Sequence, residues 1–156
     1  MLPPFDLSEP QSLADVLQAL ANNGEIRPLA GATNLVPDLR SKRETCRSFI
    51  SLEALDELRY IKRDGSRVML GARTTIADIL DHHGMKTDAP ALYAAAEIFA
   101  GAMVRTAATI GGNICCGSPS ADCVPALLTL GADVTLSSAS GQRTVPLDEF
   151  YIDYKK

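Results

Sequence analysis

The chain reads as an α+β protein, an N-terminal βαβ subdomain with a short parallel sheet packed on a second subdomain of antiparallel sheet and helices. Three observations predict this. Residues 26–52 place strand-like apolar runs on either side of a short helical stretch, the order of a βαβ unit, which implies parallel pairing. From about Leu58 hairpin signals take over, with Asp64-Gly65 and later Ala139-Ser140-Gly141 lying between strand-like runs. The helical stretches between those hairpins gather their apolar residues on one face. The change of pattern divides the chain into subdomains 1–57 and 58–156.

Each element has a local cause. Ser12 and Asp15 make a capping-box-like start for a helix carrying Leu13, Val16, Leu17 and Leu20 on one face, and Gly24 ends it. Ile26 to Ala30 is a short buried strand that runs straight into Gly31. Asn34 to Leu39 forms a helix of about a turn, limited by Pro37. Ser48 to Leu52 is the second strand, so the Gly31 turn falls at a strand's carboxyl end, where open α/β sheets hold their ligands. Leu58 to Arg63 and Arg67 to Leu70 form the first hairpin. Thr75 and Asp78 cap a helix with Ile76, Ile79 and Leu80 inward, and place His82 and His83 in its last turn, where the helix dipole favours them. Pro90 to Ala102 is an alanine-rich helix with Leu92, Ala95, Ala96 and Phe99 inward. A long loop follows. Asp122 then opens a helix through Val124, Leu127, Leu128 and Leu130, ended by Gly131, and Asp133–Ser137 with Gln142–Leu147 make the second hairpin. The segment from Leu147 to Lys156 keeps aromatic residues almost to its end and reads as mid-domain sequence.

Composition bounds what the chain does. It has 156 residues, 46% hydrophobic and 22% charged, enough for one ordinary domain or two small ones sharing a core. A net charge of −4 gives no basic field for nucleic acid or an anionic membrane. No run approaches the ~18 apolar residues of a membrane helix, and the N-terminus lacks a signal-peptide pattern. The expected setting is the cytoplasm. Cys46, Cys115, Cys116 and Cys123 contain no CxxC spacing, and neither histidine completes a ligand pattern with them, so they read as reduced thiols rather than metal ligands.

The most informative stretch is Thr109-Ile110-Gly111-Gly112-Asn113-Ile114-Cys115-Cys116-Gly117-Ser118-Pro119-Ser120-Ala121-Asp122. Its glycines are costly to order and make sense where backbone approaches a ligand closely and offers it N–H groups. Leu29-Ala30-Gly31-Ala32-Thr33-Asn34-Leu35 is a second such turn. Together they suggest a phosphate-bearing cofactor held between them.

These segments, with Gly71-Ala72-Arg73-Thr74-Thr75 and Val104-Arg105-Thr106-Ala107-Ala108 leading into the long stretch, resemble the FAD-binding medium chain of the molybdenum hydroxylases, the xanthine dehydrogenase and carbon monoxide dehydrogenase type. The resemblance spans essentially the whole chain and implies a PCMH-like FAD-binding fold. It implies that Ala30, Gly31, Ala32, Thr33, Asn34 and Leu35 hold the FAD pyrophosphate, with Thr33 adding a hydroxyl. Thr109, Gly111, Gly112 and Asn113 would grip the same group and its ribityl side from across a cleft, with Cys115 closing that segment. Asp122 matches a carboxylate that binds the adenosine ribose, and Phe99 an aromatic beside the cofactor. No residue is assigned catalysis or metal binding. The molybdenum cofactor and [2Fe–2S] clusters are implied on a large and a small partner chain, with electrons passing from the clusters to FAD and on to NAD, a quinone or oxygen. The family subunit also continues past this length, so a separate C-terminal segment is a further implied partner.

Local readings stand beside these roles. Asp122 also reads as a helix N-cap, Phe99 as core, Asn113 as a turn terminator, and Arg105 as an exposed charge or a surface partner for a carboxylate. Ala32 replaces the turn's usual second glycine: at positive φ it costs roughly 1–2 kcal/mol, at negative φ nothing. Two other functions remain open at this point, a flavin-free interaction or assembly module on the same fold and a cluster protein ligated through the Cys115–Cys123 region.

Overall fold

A computed structural model describes residues 2–153. Its elements follow in chain order as β1 (Asp6–Ser8), α1 (Leu13–Asn22), β2 (Arg27–Leu29), α2 (Leu35–Arg40) and β3 (Ser48–Ser51). Next come β4 (Ile61–Asp64), β5 (Arg67–Leu70), α3 (Ile76–Asp81), α4 (Met85–Asp88) and α5 (Pro90–Ile98). The last are α6 (Ala102–Arg105), α7 (Ile110–Cys115), α8 (Cys123–Thr129), β6 (Asp133–Ser138) and β7 (Gly141–Pro146).

The α+β class is observed. β2 and β3 pair in parallel around the α2 crossover, and β1 joins on the other side of β3, giving a sheet of order β1-β3-β2. β1 has no sequence signal because it is short and exposed throughout, so no period-two pattern marks it. Pairing supplies what the pattern lacks. Leu7 stands opposite Phe49, and Phe5 just before the strand meets the Phe49 ring edge-on at 5.7 Å. The two antiparallel hairpins, β4–β5 and β6–β7, form as expected.

Packing divides into two clusters. Val16 of α1, Ile50 of β3 and Leu55 form the first, and Leu13, Leu20 and Leu52 pack against it. The second gathers Ile76 and Ile79 of α3, Met85 of α4, Leu92 and Ala96 of α5, Ile110, Cys123, Leu127 and Leu147. Phe150 and Tyr151 pack against it, and the Tyr151 hydroxyl donates to the Ile114 carbonyl at 2.9 Å. The aromatic residues near the chain's end are therefore used; Tyr154 lies outside the described residues.

Three local expectations need correction. The helix from Pro90 stops at Ile98; Phe99 turns extended, Ala100 takes φ 35°, and a separate short α6 follows. Arg105 holds that break, donating from Nε to the Phe99 carbonyl at 2.7 Å and from Nη2 to the Ala100 carbonyl at 3.2 Å. It is a turn clamp rather than a free surface charge. The helix from Thr75 ends at Asp81, leaving His82 as its C-cap and His83 beyond it. The long glycine-bearing stretch opens not as a loop but as α7, with Thr109 as N-cap accepting from the Gly112 amide at 3.1 Å. Among the described residues no helix is long and apolar enough to cross a membrane.

Candidate functional site

β2 and β3 end side by side, and the chain leaving β2 turns at once through Ala30 to Asn34 into α2. Gly31 makes this turn possible. A Cβ there would lie 1.6 Å from the Ala107 carbonyl oxygen, so only glycine lets the turn touch the segment before α7. Ala32 takes φ 54°, the left-handed region, which settles the choice left open by the sequence.

The second segment is fixed from behind. Ile76 donates to the Ala108 carbonyl at 3.0 Å, Ile110 to Thr74 at 2.9 Å and Gly111 to Ala72 at 3.0 Å. Residues 108–111 are thereby bonded onto 72–76, and the three segments that carry the family resemblance become one assembly around Gly31. Asn34 and Cys116 join its two sides directly, Nδ2 donating to Sγ at 3.0 Å.

The two segments differ in what they can offer a ligand. Among the described residues, none of the amides of Gly31, Ala32, Thr33, Asn34 and Leu35 donates to a protein acceptor. Those of Ile110, Gly111, Gly112 and Asn113 are all taken, by Thr74, Ala72, the Thr109 hydroxyl and the Thr109 carbonyl. The glycines of α7 are therefore not a second row of free donors. Gly111 lies so close to Ala72 that a Cβ would stand 2.7 Å from its carbonyl oxygen. What this side presents is the Thr109 amide, which has no acceptor among the described residues, and the Asn113 side chain.

The remaining candidates fall in different places. Asn113 Oδ1 accepts from the Cys123 amide at 3.3 Å, which ties the start of α8 to α7 and sets Asp122 beside it. Asp122 is exposed and occupies the N-cap position of α8, but its side chain makes no cap hydrogen bond there. Phe99 is 8% exposed and belongs to the second core cluster. Cys115 is exposed at the last turn of α7. Cys123 is fully buried, and burial pushes its thiol up to about 12, so it stays protonated at neutral pH and acts as a small core side chain. No cluster of histidine, cysteine or carboxylate side chains suited to a metal is gathered among the described residues.

A cleft of about 280 Å³ opens where the two segments meet, walled by Ala30 and Gly31 on one side and by Thr106, Ala107 and Thr109 on the other. Arg73 lines it and was not among the residues singled out from the sequence. Its only signal there is an arginine at the variable position of an otherwise small and hydroxylic motif. The side chain is 6% exposed, with Nη2 3.4 Å from Glu53 Oε1 and Nη1 3.8 Å from Asp56 Oδ1. Arg59, on the same cleft, is committed elsewhere. Its Nε and Nη2 donate to the two Asp78 oxygens at 2.9 and 2.8 Å. That pairing is the largest influence holding the Asp78 carboxyl down at about 2.

Known proteins share both sequence and shape. The chain is 35% identical over 97% of its length to the glyceraldehyde dehydrogenase medium chain of Sulfolobus acidocaldarius, covering 54% of that protein. It is 36% identical over 90% of its length to the xanthine dehydrogenase FAD-binding subunit of Escherichia coli O157:H7, covering 48% of it. The chain thus spans about half the length of these relatives. Its structure matches carbon monoxide dehydrogenase from Hydrogenophaga pseudoflava with a TM-score of 0.96 at 29% identity, covering all of this chain and 55% of that one. Quinoline 2-oxidoreductase from Pseudomonas putida 86 gives 0.95 at 26% identity, with the same coverage. Residues 3–156 match the family described as the FAD binding domain in molybdopterin dehydrogenase, and the chain belongs to that family.

Proposed function

We propose that this chain is the FAD-holding part of a molybdenum-containing hydroxylase or dehydrogenase, in which other chains carry the molybdenum cofactor and the [2Fe–2S] clusters. The observation that carries this reading is the row of amides from Gly31 to Leu35 without protein acceptors, at the carboxyl end of a parallel strand. Successive main-chain N–H groups of this kind suit an anionic oxygen cluster. The FAD diphosphate carries about two negative charges and fits that donor set in a protein that is itself acidic.

The residues would divide the work. Gly31, Ala32, Thr33 and Asn34 would donate to the diphosphate, and Leu35 would follow as the first residue of α2. Thr109 and Asn113 would contribute from the facing side, through the Thr109 amide and the Asn113 Nδ2 group. Asp122, exposed and uncommitted, would accept from the ribose hydroxyls of the adenosine half. Gly111 would serve by letting α7 approach the Ala72 backbone and Gly112 by leaving room for the Thr109 hydroxyl that caps the helix, with Cys115 at its far end. Phe99 would act from within the core, through the turn it begins. Bound FAD supplies reversible electron transfer, and the protein supplies its position and surroundings. The names of the relatives, a dehydrogenase medium chain and a dehydrogenase FAD-binding subunit, support a redox role within a multi-chain enzyme; the FAD would there take electrons from iron–sulfur centres and pass them to NAD, a quinone or oxygen.

The test is direct. Flavin released on denaturing the purified protein is expected to be FAD; a colourless protein would favour the flavin-free module. Asp122→Ala should lower FAD affinity about 3- to 10-fold, the loss of one or two ordinary hydrogen bonds. Its fold should be unaffected because the Asp122 side chain makes no cap hydrogen bond to α8. Unchanged affinity in a binding titration would remove the ribose role.

A further inference from the structure

We propose that Arg73 is an anion-binding residue of the cleft, donating from Nη1 to a phosphoryl oxygen of the dinucleotide held on the Gly31–Leu35 amides. The proposal rests on the FAD reading above and adds to it a residue outside the glycine-bearing motifs.

Arg73 Nη1 is buried and has no hydrogen-bond partner, the one such side-chain atom among the described residues. An arginine N–H withdrawn from water and left unpaired bears its full desolvation penalty. The neighbouring carboxylates do not answer it. Asp56 approaches Nη1 only to 3.8 Å and Glu53 approaches Nη2 to 3.4 Å, and their side chains are 101% and 80% exposed. Pairs that loose and that wet are worth little. Arg59 cannot take the role, because Asp78 already holds it with two hydrogen bonds. Arg73 is therefore the cation of this cleft with a donor to spare.

Its position joins the cleft to the free amides. Gly31 belongs to both, as first residue of the amide row and as part of the cleft wall opposite Thr109. A diphosphate seated on the Gly31 amide stands at the cleft's edge, within the region that Arg73 lines. Amide donors bring only partial charges, whereas a shielded guanidinium brings a whole one, in a planar fork that matches phosphate geometry.

The experiment measures FAD binding to the full-length protein at several salt concentrations. Arg73→Gln is expected to weaken FAD about 10- to 100-fold, the range for a charge-assisted hydrogen bond. It should also flatten the salt dependence of the affinity, while Arg73→Lys keeps that dependence. Arg73→Lys, which keeps a positive charge at the same buried position, tests the idea even if Arg73→Gln fails to fold. Equal FAD affinity with and without Arg73 overturns the proposal. So does weaker binding with unchanged salt dependence, the mark of a purely structural arginine, and so does an Arg73→Lys protein that loses the salt dependence. Should the unaltered protein bind no FAD at all, the cofactor reading fails first and this proposal fails with it; FAD bound equally by every variant overturns Arg73 alone.

Discussion

Ala32 carries an L side chain at φ 54°, a conformation that costs roughly 1–2 kcal/mol against right-handed alternatives. Replacing it by glycine removes that cost and adds back roughly 0.5–1 kcal/mol of unfolded-chain entropy. Ala32→Gly should therefore stabilise the protein slightly, by about 0.5 kcal/mol, in denaturant titration. A clear loss of stability would show that the Ala32 methyl group makes a contact worth more than its strain. The sequence identified this position as unusual but could not decide its φ, because alanine is compatible with either hand until the neighbouring turn is placed. Asp122 was similarly undecided, since an aspartate before an apolar run signals a cap whether or not its oxygen reaches an amide. Arg73 was invisible as a site residue. It is buried where its own segment meets residues distant in sequence, its amide on the Leu58 carbonyl and its side chain in the cleft wall with Gly31, Thr106, Ala107 and Thr109, and no local pattern records that.

At the scale of elements, α3 is the best specified helix of the chain. The Thr75 hydroxyl accepts from the Asp78 amide at 3.0 Å while Asp78 accepts from the Thr75 amide at 2.9 Å, and the same carboxylate binds Arg59. The folded carboxyl titrates near 2 against an ordinary value of 3.8, so the folded state prefers the ionised form. Stability from this group is complete above about pH 4 and is lost as pH falls towards 2. Asp78→Asn should lower stability by roughly 1–3 kcal/mol at neutral pH, from a weakened cap and a lost charge-assisted pair. It should also flatten the acid limb of a pH–stability curve. An unchanged acid limb would move the titrating group elsewhere. That helix was legible because Thr and Asp at this spacing carry their own capping chemistry. α7 was not, since paired glycines argue for a loop on propensity alone. It forms because Thr109 caps it and because residues 108–111 are bonded to 72–76.

For the whole molecule, the class, the parallel βαβ unit and both hairpins followed from periodicity and turn residues, whereas β1 and α4 did not. Both are too short to show a period, and each depends on a partner distant in sequence or on a buried anchor such as Met85. The candidate site joins two segments far apart in sequence, with Gly31 on one side and Ala107 on the other. A ligand bound there only in the folded state must stabilise both together. Free FAD at one hundred times its dissociation constant should add about 2.7 kcal/mol to the unfolding free energy. Calorimetry would register this as a higher melting temperature, and a melting temperature indifferent to FAD would contradict the proposed site.

The central place of β3 has a consequence for how the chain comes into being. β1 and β2 bond to β3 and not to each other, so a ribosome releasing this polypeptide delivers two early strands with no mate. Nothing in the sheet can close until Ser48–Ser51 emerges, when both edges are captured around a single late arrival.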